Sequence, residues 1–297
     1  MENLMEIFSH YTFLIVLVGV IILSLTSGIL AVFLVLQKES LVADALSHST
    51  LPGVVLTFLL FHTKNIYSLL IGGMVSAFLA YSLINWFKKM DKININSILA
   101  IILSSFFGLG LVLLTLSQKS PDAAQAGIRE IIFGQAAGIN QMDVIVMVIV
   151  CLIVLFIAFI LYKEIKLAIF DPHFSLISGF NPKLILNVLV ILTIISVVLE
   201  VQIIGVILTA TMLVAPALTS VQWSNKFLPV LIISSLTGIV SAVIGTIASS
   251  IIPGLSTGPV ISVCAGIICI LSIIFGRYGV IYTKIKQYRL MKGEYEC

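Results

Sequence analysis

Tyr11-Thr-Phe-Leu-Ile-Val-Leu-Val-Gly-Val-Ile-Ile-Leu-Ser-Leu-Thr-Ser-Gly-Ile-Leu-Ala-Val-Phe-Leu-Val-Leu36 contains no charged side chain. A helix needs about 20 predominantly apolar residues to cross the hydrocarbon of a bilayer, and this stretch exceeds that. Comparable runs follow at Ile66 to Phe87, Ile98 to Leu116, Met142 to Tyr162, Phe227 to Ile252 and Pro259 to Phe275. Leu41 to Phe61 is also long enough, although Asp44, Ser47, His48, Ser49 and Thr50 interrupt it. Two shorter runs, Leu184 to Leu199 and Ile203 to Val221, flank Glu200 and Gln202 and read as a tight hairpin with Glu200 at its outer, interfacial turn. The expectation is an all-α, polytopic transmembrane helical bundle of about nine spans, or seven if that hairpin is lost.

The rest of the chain agrees with a membrane solvent. Of 297 residues 60% are hydrophobic and 10% charged, and the mean hydropathy is +1.22, far from the composition of a water-soluble domain. Glu2 and Glu6 stand where a cleavable leader would carry basic residues, so the first span is expected to be retained. With the N-terminus outside, thirteen Lys and Arg residues fall on the inner side and only Lys64, Lys119 and Arg129 on the outer, as the positive-inside rule requires. The C-terminus is then cytoplasmic. Residues 1–276 form one transmembrane domain, with a cytoplasmic loop near 163–183, and 277–297 form a short basic tail. The four cysteines make no CxxC pair and read as structural thiols.

Chemistry concentrates in Glu39-Ser-Leu-Val-Ala-Asp44-Ala-Leu-Ser-His48-Ser-Thr-Leu-Pro52-Gly53. Ionisable groups in hydrocarbon cost about 2.5 kcal/mol or more on insertion scales, so each calls for a reason. On a helix Asp44 and His48 share one face, four residues apart. A carboxylate and an imidazole there can grip one metal ion; an internal salt bridge and a proton relay are the competing readings. Pro52 removes the hydrogen bond to the carbonyl of His48, which makes Pro52 a second pathway candidate through that freed oxygen. Glu200 is a third, set against its interfacial reading. Two side chains cannot complete the shell of a zinc or manganese ion, and a second copy of the chain facing the first would double the ligand count.

In Phe170-Asp171-Pro172-His173-Phe174-Ser-Leu-Ile177-Ser-Gly179, aspartate suits an N-cap, proline the first helical position and glycine the C-terminal cap. A capped helix presenting Phe170, Phe174 and Ile177 on the cytoplasmic side suits the groove of a partner protein, with a membrane-surface element as the competing reading. His10 and His62 at span ends read as interfacial anchors, and Asp122, Arg129 and Glu130 border an interfacial helix at Ile131 to Phe133. Pro216 should kink the seventh span. The chain has no GxxxxGK[ST] loop and no HExxH, so it is not expected to be an enzyme: ATP hydrolysis by that loop belongs to another chain, and a zincin-type protease is disfavoured.

Asp44-Ala-Leu-Ser-His48-Ser-Thr-Leu-Pro52-Gly53 resembles the second-span signature of the permease subunits of bacterial ABC importers for manganese, zinc and iron. Phe133-Gly134, the Phe170 to Gly179 loop, Gly205-Val-Ile-Leu, Leu213-Val-Ala-Pro216-Ala217 and Thr257-Gly258-Pro259 look like further landmarks of that family in the expected order. The resemblance implies a multi-pass protein of the bacterial cell membrane working as a homodimer in the lipid bilayer. It implies cytoplasmic ATPase subunits docked on Phe170, Asp171, Pro172, Phe174, Ile177 and Gly179, and an external metal-binding receptor. Asp44 and His48 would coordinate the transported ion, manganese ahead of zinc or iron, with no permanently bound cofactor and no nucleic acid. Ser49-Thr50 departs from the small apolar residues usual there. The rival functions are a secondary ion-coupled carrier using Asp44 and His48 as a proton relay, and a metal-chelate permease.

Overall fold

The computed structural model describes residues 11–61, 66–90, 93–117, 141–252 and 255–283. His10, His62, the 118–140 segment with its expected interfacial helix, Phe133-Gly134 and the tail from 284 onward lie outside them. Among the described residues twelve helices follow in order: α1 (Tyr11–Leu36), α2 (Ser40–Phe61), α3 (Ile66–Lys88), α4 (Ile95–Ser117), α5 (Gln141–Ile160), α6 (Tyr162–Phe170), α7 (Pro172–Ile177), α8 (Pro182–Ile204), α9 (Val206–Met212), α10 (Ala215–Val221), α11 (Phe227–Ile251) and α12 (Thr257–Phe275). Eight of them, all but α6, α7, α9 and α10, are long and apolar enough to cross a membrane.

The expected nine continuous spans become eight plus a broken one. Where a seventh span was expected, α9 and α10 are seven residues each, about 10 Å of helix apiece and far short of the roughly 30 Å of hydrocarbon. Two local features cause this. Gly205 adopts φ +93° and ψ 161°, a conformation that residues with a Cβ rarely adopt, and it separates α8 from α9. Pro216 lies in the first turn of α10, where its missing N–H leaves no helical bond unmade, so it starts a helix instead of kinking one.

Helix packing depends on small residues. α1 runs along α11, where the Ser234 hydroxyl donates to the Gly28 carbonyl at 2.6 Å and a Cβ on Gly238 would stand 2.8 Å from the Ser24 carbonyl oxygen. α2 is held between α3 and α4. On the α3 side the Ser76 hydroxyl donates to the Ser49 carbonyl at 2.6 Å, and Gly53 and Gly72 bring the two backbones together. On the α4 side Leu51 fills the space over Gly110. At one end of the bundle Lys88 of α3 pairs with Glu39 at 2.6 Å, clamping the turn that leads into α2. Leu23, Leu46, Ile84, Met147, Ile165 and Leu189 are among the fully buried apolar side chains. The outward faces of α5 and α12 carry bulky apolar groups such as Ile149, Phe156, Ile267 and Phe275, as lipid contact demands.

Candidate functional site

Pro52 leaves α2 unbroken from Ser40 to Phe61. The side chains around it occupy backbone acceptors of the same helix: Ser47 donates to the Asp44 carbonyl at 2.8 Å, Ser49 to Ala45 at 2.5 Å and Thr50 to Ser47 at 2.7 Å. Ser47, Ser49 and Thr50 are buried. The Ser49 and Thr50 hydroxyls are thus satisfied within α2, and neither bonds Asp44 or His48.

Asp44 and His48 lie on the other side of α2, with side chains 34% and 22% exposed. Asp44 Oδ1 and His48 Nε2 are 3.5 Å apart, long for an N–H···O bond, whose usual length is about 2.9 Å. Two ligands each about 2.1 Å from one ion stand about 3.0 to 3.4 Å apart at octahedral or tetrahedral angles, close to this spacing. Phe107 of α4 holds the imidazole by an edge-on ring contact, centroids 4.9 Å apart, and His48 Nδ1 is buried with no hydrogen-bond partner. Ser104 and Gly108 follow on α4; a Cβ on Gly108 would meet nothing within 4 Å. Phe107 carried no signal in the sequence, because its neighbour His48 is remote in the chain. Among the described residues no three His, Cys, Asp or Glu side chains converge as a metal shell. One chain offers two such ligands at this place.

Glu200 is not at an outer turn. It is 2% exposed inside α8, and its Oε1 is hydrogen-bonded to the hydroxyls of Ser196, at 3.0 Å, and of Ser27 on α1. Ser27 lies roughly 14 Å along the helix from the Leu36 end of α1, which places both groups well inside the hydrocarbon. The hairpin reading failed because α8 continues past Glu200 to Ile204 before Gly205 turns the chain. The Ser196–Glu200 pair, four residues apart, was legible; Ser27 was not.

The expected capped helix is present as α7. The Asp171 carboxylate accepts from the Phe174 N–H at 2.9 Å, and Pro172 occupies the first turn. Gly179, at φ +86°, closes the other end: its N–H donates to Leu176 O, and that of Phe180 to Ser175 O. Phe170, Phe174, Leu176 and Ile177 are exposed, Ile177 at 83%. The preceding helix α6, unforeseen in the sequence, buries Ile165 and Ala168 in the core cluster that also holds Ile185 and Leu189 of α8. The Phe227 ring at the start of α11 meets Phe33, Tyr162 and Phe170, with the Lys166 ammonium 5.8 Å from its centroid. The α6–α7 segment is thus fixed to three membrane helices.

A family model, the ABC 3 transport family, matches residues 9–276. The chain belongs to that family. As an ABC 3 chain it is 40% identical to the zinc transport system membrane protein TroC of Treponema pallidum, over 98% of each. It is 34% identical to the manganese transport system membrane protein MntC of Bacillus subtilis, over 93% of this chain and 64% of that one. A solved structure of PsaBC from Streptococcus pneumoniae in complex with Fab shares the fold at a TM-score of 0.83 and 24% identity, covering 96% of this chain and 99% of that one. This ABC 3 protein is a multi-pass bacterial membrane protein and the permease component of a metal-type ABC importer, a transport subunit and not an enzyme.

Proposed function

We propose that this permease passes a divalent transition-metal ion inward between Asp44–His48 pairs contributed by two copies of the chain. The observation that carries this is the pair itself: a carboxylate and an imidazole, 3.5 Å apart and partly exposed, on a membrane helix. In lipid such a pair is costly, so its open side faces protein or water. A second copy set about a two-fold axis would supply both the cover and the missing ligands. Manganese is placed first, with zinc and iron next, on the Asp-Ala-Leu-Ser-His context; the relatives' names divide among zinc, manganese and iron. Pro52 would act through the His48 carbonyl that it frees from the helical hydrogen bond, a further candidate ligand on α2.

The exposed apolar face of α7 is the proposed seat of a cytoplasmic ATPase, with the N-terminus outside and an external receptor delivering the ion. Closure of the ATPase pair would push α6–α7, and through Phe227 and α8 would rock the bundle around the site. Scrambling residues 170–179 is expected to abolish co-purification with a nucleotide-hydrolysing subunit while the chain still reaches the membrane. Proton-coupled uptake by this chain without any ATPase would instead establish a secondary carrier. Uptake competition in cells lacking other metal routes is expected to rank manganese above zinc and iron. A zinc-first ranking overturns the metal assignment and leaves the permease intact.

A further inference from the structure

The Glu200 contact contains one proton too few if its carboxyl is ionised. The Ser27 hydroxyl lies within hydrogen-bond distance of two acceptors, the Leu23 carbonyl at 2.7 Å and Glu200 Oε1. A serine hydroxyl has a single hydrogen to donate. The two contacts need two hydrogens, and both are made when the Ser27 hydrogen goes to Leu23, one helical turn back along α1, and the carboxyl supplies the hydrogen between Ser27 and Glu200. The Ser196 hydroxyl, 3.0 Å from the same oxygen, has no second acceptor competing for its hydrogen among the described hydrogen bonds and donates to it.

We propose that Glu200 carries a proton here and that its neutral carboxyl is a positioning group locking α8 to α1. The chain of bonds runs from the Ser196 O–H to Glu200 Oε1, from the carboxyl O–H to Ser27 Oγ, and from the Ser27 O–H to the Leu23 carbonyl. Each hydrogen has one acceptor and no net charge remains in the membrane interior, where an isolated carboxylate is expensive.

Among the described residues the surroundings offer no cation to offset a carboxylate. On α1 the neighbours are hydroxyls, Ser27 and Thr26. On α5 the titratable neighbour is Cys151, whose thiol meets Thr26. On α3 Tyr81 bonds Asn187 far down α8, and Lys88 pairs with Glu39 at the end of the bundle. Asp44 and His48 of α2 lie against α4 at Phe107. Lys163, Glu164 and Lys166 of α6 and His173 of α7 lie by the opposite end of α8, and α9 has no ionisable residue. The arrangement depends on that proton: the carboxylate left after deprotonation would compete with Leu23 for the one Ser27 hydrogen.

Infrared difference spectroscopy tests this on the purified full chain in lipid at neutral pH. The wild-type minus Glu200→Gln difference is expected to contain the carbonyl stretch of a protonated carboxylic acid, downshifted in D2O. In Ser27→Ala, which removes the acceptor of the carboxyl hydrogen, the same band is expected to persist at higher wavenumber. A difference showing only carboxylate bands overturns the proposal. Where the Glu200→Gln chain fails to fold, the wild-type minus Ser27→Ala difference decides: a carboxylic acid carbonyl band that shifts between the two chains supports the proposal, and its absence overturns it.

Discussion

Replacing Asp44 and His48 together by alanine is expected to abolish metal-dependent growth and uptake while the chain accumulates in the membrane as before. Both side chains are partly exposed, and the hydrogen bonds of α2 around them are made by Ser47, Ser49 and Thr50. Truncation therefore removes little packing: the ring contact with Phe107, worth about 0.5 to 1.5 kcal/mol, is the main loss. The functional loss is of a different order. Residues that merely support a metal ligand cost roughly 10- to 100-fold in metal affinity when removed, and here the proposed ligands themselves go. Uptake measured with a radioactive metal, normalised to membrane-inserted protein, should fall by more than that. The substitution Asp44→Leu with His48→Phe separates the readings further. If the pair is only an internal salt bridge, apolar replacements of similar volume keep or improve the protein and transport survives. If the chain passes a metal chelate, Asp44 alone is dispensable. Uptake that persists in the double alanine variant removes Asp44 and His48 from the transport site.

Gly72→Ala is expected to prevent stable assembly, whereas Gly108→Ala is expected to be neutral or slightly stabilising. A Cβ on Gly72 would overlap Thr57 Oγ1 and stand 2.6 Å from the Gly53 carbonyl oxygen, and a Cβ on Gly53 would overlap the Gly72 carbonyl in return. The obstruction includes the Gly53 backbone as well as the Thr57 side chain, so α3 must move away from α2. Overpacking a tight core costs about 1 to 3 kcal/mol even where side chains can adjust. Separating the helices would also strain the Ser76 bond to the Ser49 carbonyl, one residue beyond His48. A Cβ on Gly108 meets open space, and alanine gains about 0.5 to 1 kcal/mol over glycine in a helix. Thermal midpoints of the two purified variants decide the matter. Equal behaviour would mean that α2 and α3 do not approach at Gly53 and Gly72.

What was legible in the sequence follows the range of the interactions involved. The span ending at Leu36 could be read because hydrophobic length is a property of one segment. Asp44 with His48, and Asp171 with Pro172 and Gly179, are likewise local: helix geometry alone puts the first two on one face and the others at the ends of a helix. The reading failed at Glu200 and over Ile203 to Val221, where an apolar run of sufficient length was taken for a span. There the backbone conformation of Gly205 and the placement of Pro216 in a first helical turn outweighed hydropathy.

By itself the sequence determined the solvent, seven of the eight long helices, the pairing of Asp44 with His48 and the capped segment at Asp171, because each depends on residues within a few turns of one another. Only the tertiary structure decided that Phe107 abuts His48, that Gly53 and Gly72 bring α2 against α3, and that Ser27 meets Glu200 in the membrane interior. These contacts join residues far apart in the chain, and they are selected by how small residues let one helix lie against another, which no single segment encodes.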